Sequence, residues 1–87
     1  MERDNKTWVS DLQADEQQQT SALSDLRKLL LKILPGAFSR WLSPNDPHFR
    51  AFVDDVAQET LLRVLEKLDT FEGLSKFTTW VYTIIVR

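Results

Sequence analysis

The chain has 87 residues, 11 Lys or Arg against 13 Asp or Glu, and a formal net charge of −2. With no cysteine, one histidine (His48) and two glycines, it cannot build a disulfide framework, a thiolate zinc site, a cysteine nucleophile, a two-histidine metal site or a glycine-rich phosphate loop. The length allows one small domain, no apolar run approaches the ~18 residues of a membrane span, and no signal core follows the polar N-terminus, so the expected location is cytoplasmic.

Residues 1–7 are polar and read as a frayed end. Trp8, Val9 and Leu12 form one short helical face. The run Asp15-Glu16-Gln17-Gln18-Gln19 fits either a loop or a solvated helix. Thr20 and Ser21 are N-cap candidates for the helix that follows. Its apolar positions are Leu23, Leu26, Leu29, Leu30, Ile33 and Leu34, with Leu31 widening the stripe. Pro35-Gly36 interrupts this helix, yet Ala37, Phe38, Trp41 and Leu42 continue its period. The segment is therefore either a kinked helix or a stop followed by a second short helix.

Asp46 followed by Pro47 is a helix start signal, the carboxylate as N-cap and proline at the first helical position. A helix over 48–68 would carry Phe49, Phe52, Val53, Val56, Ala57, Leu61, Val64, Leu65 and Leu68 on one stripe. Asp54, Asp55, Gln58, Glu59, Arg63, Glu66 and Lys67 fall on the other. Residues 69–73 form a connection in which Gly73 is free to take a positive φ. From Leu74 to Arg87 seven β-branched residues favour a strand. The periodicity of Leu74, Phe77, Trp80, Val81, Ile84 and Ile85 favours a helix with Ser75 as its cap, and pattern outweighs propensity. The chain is thus expected to be all-α, a small bundle of three to four helices. Its division is expected to be 1–20, a polar extension or short helix, and 21–87, the helical domain, with the last helix truncated at its C-terminal end.

No catalytic constellation emerges, and the chain does not read as an enzyme. His48 reads as a solvent-facing residue at a helix start. Asp54 and Asp55 are adjacent and so point ~100° apart on a helix, which is no carboxylate pair. Charge, however, is segregated. Residues 1–25 and 51–75 each carry six acids and two bases, whereas residues 26–50 carry five bases and one acid. Such a pattern arises from solvated helix faces, or from separate acidic and basic contact surfaces for two partners. Leu62 lies on the polar face of its helix, ringed by Asp55, Gln58, Glu59, Arg63 and Glu66. An apolar centre with a polar rim has the anatomy of a protein contact site. Phe71, Phe77, Trp80 and Tyr82 cluster around Lys76, and aromatics beside a base can stack nucleobases while the cation holds a phosphate. By spacing, Phe77 and Trp80 read as core. Phe71 in the loop and Tyr82 on the far face are less easily explained that way.

The segments Asp54-Asp55-Val56-Ala57-Gln58-Glu59-Thr60-Leu61-Leu62-Arg63-Val64-Leu65 and Phe71-Glu72-Gly73-Leu74-Ser75-Lys76-Phe77-Thr78-Thr79-Trp80-Val81-Tyr82 resemble region 2 of bacterial sigma factors, most closely the extracytoplasmic function (ECF) group. The resemblance is dense from 54 to 86 and compatible from Leu23 to Leu42, and residues 1–20 correspond to no part of the family. It implies a compact helical domain whose long helix docks on the clamp coiled coil of the beta-prime subunit of RNA polymerase, through Asp55, Gln58, Glu59, Leu62 and Arg63. It implies that the loop and last helix recognise and melt the promoter −10 element. On the same resemblance, Phe71, Gly73, Ser75 and Lys76 belong to a loop that holds a base flipped from the non-template strand. Thr79, Trp80, Tyr82 and Arg87 belong to the recognition and melting region, with Phe77 and Trp80 also packing the helix. The family's motif often has asparagine where this chain has Arg87, which leaves base preference open there. The rest of the DNA-reading helix and a −35-reading domain are expected to be missing from this chain, and with them normal promoter selectivity. An anti-sigma factor is a further partner the resemblance implies; no cofactor or metal is. Two other readings compete. One is a helical protein-interaction module without nucleic-acid binding, for which Leu62 and its rim suffice. The other is a helix-turn-helix DNA binder, which needs a more basic last helix than Lys76 and Arg87 supply.

Overall fold

The computed structural model describes residues 3–39, 43 and 45–85. Four helices follow in order: α1 (Asn5–Leu12), α2 (Glu16–Phe38), α3 (Phe49–Lys67) and α4 (Phe77–Ile84), with a short 3-10 turn, Leu68–Thr70, closing α3. No strand occurs among the described residues, so the all-α expectation holds. Periodicity prevailed over β-propensity in α4, where the Thr83 hydroxyl donates to the Trp80 carbonyl at 2.6 Å and so sits comfortably in a helix.

The N-terminal helix is a full element. Asp4 caps α1 by accepting from the Thr7 N–H at 2.7 Å, and Trp8 and Leu12 are buried. Helix α2 begins at Glu16, capped by Asp15, which accepts from the Gln18 N–H at 2.9 Å. Thr20 and Ser21 are therefore inside the helix rather than capping it. An aspartate one turn earlier satisfies the free N–H groups first, and the glutamine run becomes the solvated first turns. Gln19 reaches back to donate to the Leu12 carbonyl at 2.9 Å, which closes the corner between α1 and α2.

Helix α2 continues through Pro35 to Phe38, 23 residues in all, or about 35 Å. Of the two readings of Pro35-Gly36, the uninterrupted one applies as far as Phe38. Trp41 and Leu42 lie outside the described residues. Asp46 does its capping one turn ahead of α3. Its carboxylate accepts from the His48 N–H at 2.8 Å and its carbonyl from the Phe49 N–H at 3.0 Å. The α-helix proper starts at Phe49, with exposed His48 as the flanking residue.

Leu26, Leu30 and Leu34 of α2 are completely buried, and Val53, Val56, Ala57, Leu61 and Val64 of α3 are buried with them. Helices α2 and α3 form the most extensive contact, α1 lies on α2, and α4 lies on α3. Phe52 departs from the expected stripe. It is 39% exposed and meets Phe38 edge-on at 5.2 Å. Thr60, read as neither core nor site, is fully buried. Its hydroxyl donates to the Val56 carbonyl at 2.7 Å, so its burial leaves no polar group unsatisfied. No described helix is long and apolar enough to cross a membrane.

Candidate polymerase and nucleic-acid surfaces

The outer face of α3 carries the first group of expected site residues. Asp55, Gln58, Glu59, Leu62 and Arg63 are all exposed, because spacings of three, four, seven and eight residues return to one side of a helix. Leu62 is 57% exposed at the centre. Glu59 and Arg63 pair at 3.4 Å across one turn. Asp54, the neighbour of Asp55, turns the other way and pairs with Arg27 of α2 at 3.6 Å. The adjacent carboxylates thus have separate surroundings, one between helices and one on the open face. Among the described residues no group of His, Asp and Glu could hold a metal.

The second group lies in the loop that follows α3 and in α4. Phe71 leaves the 3-10 turn, Gly73 takes φ +75° with open space where a β-carbon would sit, and the chain enters α4 at Phe77. Phe71 is half-buried and packs on Phe77 edge-on at 5.4 Å and on Trp80 at 5.1 Å. Phe77 is buried and stacks face to face with Trp8 of α1 at 5.4 Å. The difficulty of explaining Phe71 by packing is thereby removed, since α1 and α4 together build an aromatic cluster at whose edge it sits. Trp80 is half-buried in that cluster. Gly73, Ser75, Lys76 and Thr79 are exposed, and Tyr82 is 51% exposed. Arg87 lies outside the described residues.

Ser75 does not cap α4. Its hydroxyl donates to the Lys76 carbonyl at 3.2 Å, and the cap comes from Asn5, 72 residues earlier. The Asn5 side chain accepts from the Phe77 N–H at 2.6 Å and donates to the Ser75 carbonyl at 2.8 Å. One amide thus fastens both the end of the loop and the start of α4. Sequence reasoning missed Asn5, since nothing local marks a residue that caps a distant helix. Leu74, expected on the apolar stripe of the last helix, lies instead in the loop before α4 and is 87% exposed, because the helix begins only at Phe77.

An ion-pair centre holds α1 against α2. Arg3 donates to Asp11 at 2.9 Å and to Asp25, and its guanidinium lies 5.0 Å over the Trp8 ring. Hydrogen bonding to Asp25 and then to Asp11 raises the Arg3 pKa further, and Arg3 holds both carboxyls below the ordinary aspartate range. Asp4 is lowered by hydrogen bonds from the side chain and then the backbone of Thr7.

The described residues thus show a long charged helix carrying a solvent-facing leucine, followed by an aromatic loop held by Asn5 and a short helix. The profile of the Sigma-70 region 2 family matches residues 25–87, and the chain belongs to that family. A curated relative, the ECF RNA polymerase sigma-E factor of Haemophilus influenzae, is 35% identical over 52 residues, which are 60% of this chain and 24% of the relative. The chain therefore spans about a quarter of that protein's length. No solved structure matches it.

Proposed function

We propose that this chain acts in transcription initiation, as a module that joins core RNA polymerase to the promoter −10 element. The outer face of α3 docks on the beta-prime clamp coiled coil, with Leu62 as the apolar centre and Asp55, Gln58, Glu59 and Arg63 as its rim. The loop from Phe71 to Lys76, with Thr79, Trp80 and Tyr82 of α4, takes hold of the non-template strand. Arg87 belongs to the same proposed surface.

The observation that carries the reading is the build of the loop. Its base is packed into the Trp8–Phe77–Phe71–Trp80 cluster and fastened by Asn5, while its tip stands open to solvent. A rigid base with an open tip is what capture of an unstacked nucleotide requires. Flipping a base costs a few kcal/mol, and stacking on an aromatic returns about 1–3 kcal/mol per base. Binding to DNA alone is then weak and becomes useful when polymerase presents the strand.

Titration of a −10-like single strand against the chain, alone and with core polymerase, tests this. Sequence-dependent binding that strengthens with core enzyme is the expected result. Polymerase binding without any sequence-dependent strand binding in either setting would instead identify a protein-interaction module, the reading favoured by Leu62 and its charged rim alone. An anti-sigma factor covering either surface would compete with both activities.

A further inference from the structure

We propose, on the strength of that reading, that Arg3 is a positioning residue for strand capture: it clasps the start of α1 to α2 and so keeps Asn5 in place on the loop. The two shortest helices depend on each other. Helices α1 and α4 have eight residues each, fewer than the ~12–15 below which an isolated helix is marginal in water. Helix α4 has no local cap, since Lys76 makes no side-chain cap bond and the Ser75 hydroxyl is turned to the Lys76 carbonyl. Asn5 supplies that cap, and among the described residues it makes both hydrogen bonds that join α1 to the loop and α4. The loop has little else to hold it, with residues 72–76 exposed. Asn5 is itself the first residue of α1, a place where a chain frays unless something ties it down.

Two anchors flank Asn5. After it in the chain, Trp8 stacks on Phe77. Before it, Arg3 donates to Asp11 and, 22 residues away on α2, to Asp25. The Arg3 side chain is 16% exposed and lies over the Trp8 ring, so the clasp is mostly covered from solvent. Gln18 of α2 donates to the same Asp11 at 3.2 Å, which ties the clasp further to the body of α2. Without Arg3, Asn5 is held from one side only. A loop already ordered in its binding shape spares the ordering cost when the ligand arrives. The seating of α1 and the grip of the loop are then one coupled equilibrium. Such coupling is reciprocal: seated α1 favours the strand, and the strand favours seated α1. Arg3, Asn5, Asp11 and Asp25 all lie outside α3, so polymerase docking is not part of this equilibrium.

The test measures the affinity of the chain–polymerase complex for a fluorescent −10-like single strand, beside the affinity of the chain for core polymerase. Arg3→Ala and Asp25→Ala should each weaken strand binding about fivefold or more, the low end of coupling between distinct sites, with polymerase affinity unchanged. The double variant should match Arg3→Ala, because the two groups act through one contact. Arg3→Lys, which keeps a cation there, should recover part of the loss. In the unsubstituted complex, a saturating strand should slow amide exchange over residues 5–12 by about fivefold or more. Asp25→Ala separates positioning from direct attraction of phosphate. Loss of a carboxylate tightens strand binding if Arg3 is only a charge for the strand, and that result overturns the inference. Unchanged strand affinity in both single variants, or exchange in α1 that the strand does not slow, also overturns it and leaves the loop reading in place. Parallel losses of strand and polymerase affinity would make Arg3 a support of the whole domain and overturn it as well. If the unsubstituted complex shows no sequence-dependent strand binding, the loop reading itself falls, and this inference with it.

Discussion

The outer face of α3 and the loop at the start of α4 differ in how they are made. The α3 face is assembled from residues within nine positions of one another on one uninterrupted helix. The loop is held by residues about 70 positions away, through Asn5 and Trp8 of α1. A helical face keeps its geometry as long as its helix persists. A loop keeps its geometry only while its distant anchors remain in place. The two proposed activities should therefore respond separately to substitution, and α1 is the element that separates them.

The largest effect is expected at the aromatic cluster. Phe77 is 1% exposed, and Phe77→Ala should cost about 3–5 kcal/mol, read as a lowered midpoint in urea unfolding. Trp80 is only half-buried, so Trp80→Ala should cost clearly less. Equal losses at the two positions would mean that the cluster is packed differently from the arrangement described.

Asn5→Ala comes next. It leaves the Ser75 carbonyl and the Phe77 N–H without their partner, and removal of a capping side chain costs about 0.5–2 kcal/mol. Amide exchange at Phe77 should accelerate while the middle of α3 stays protected. Asn5→Asp keeps the acceptor for Phe77 and loses the donor to Ser75, so it should fall between the two. If exchange rises equally in α3, the loop is not separately anchored.

Leu62→Asp sharpens the comparison from the other side. An exposed surface substitution usually changes stability by less than about 0.5 kcal/mol, whereas loss of an interface centre costs more than about 1 kcal/mol of binding. Core polymerase affinity should drop roughly fivefold or more with the unfolding midpoint unchanged. Normal affinity in this variant would move the docking face elsewhere.

The smallest effect concerns acid. Asp11 and Asp25, lowered by Arg3, and Asp4, lowered by Thr7, have native pKa values below their unfolded ones. Their contribution to stability is complete above the unfolded value, near pH 4, and is lost as the pH falls through the depressed native values. The thermal midpoint should therefore decline below about pH 4, and Arg3→Ala should reduce the part due to Asp11 and Asp25. An unchanged acid profile in that variant would remove Arg3 as the cause.

Much of this architecture was legible beforehand because helix periodicity is a local property. The stripes of α2 and α3 follow from spacing, as does the exposure of Leu62, and the divergence of Asp54 from Asp55 follows from the ~100° turn per residue. Where local signals competed, the nearest hydrogen-bond partner decided. Asp15 captured the start of α2 ahead of Thr20, and Asp46 acted through a preceding turn. Phe52, expected on the buried stripe, is exposed, and Thr60, assigned to neither face, is buried, because the side of α3 that is covered depends on which neighbours arrive there.

The amino-acid order alone established an all-helical chain with Leu62 exposed among charged residues on the outer face of α3, because each of those features is set within a few turns of one helix. Tertiary structure decided that α1 completes the aromatic cluster, that Asn5 caps a helix 72 residues away, and that Lys28 and Lys32 of α2 share a cleft with Thr78 and Tyr82 of α4. Those features rest on hydrogen bonds and ring contacts between segments far apart in the chain. No local pattern encodes such contacts, and they exist only once the helices have packed.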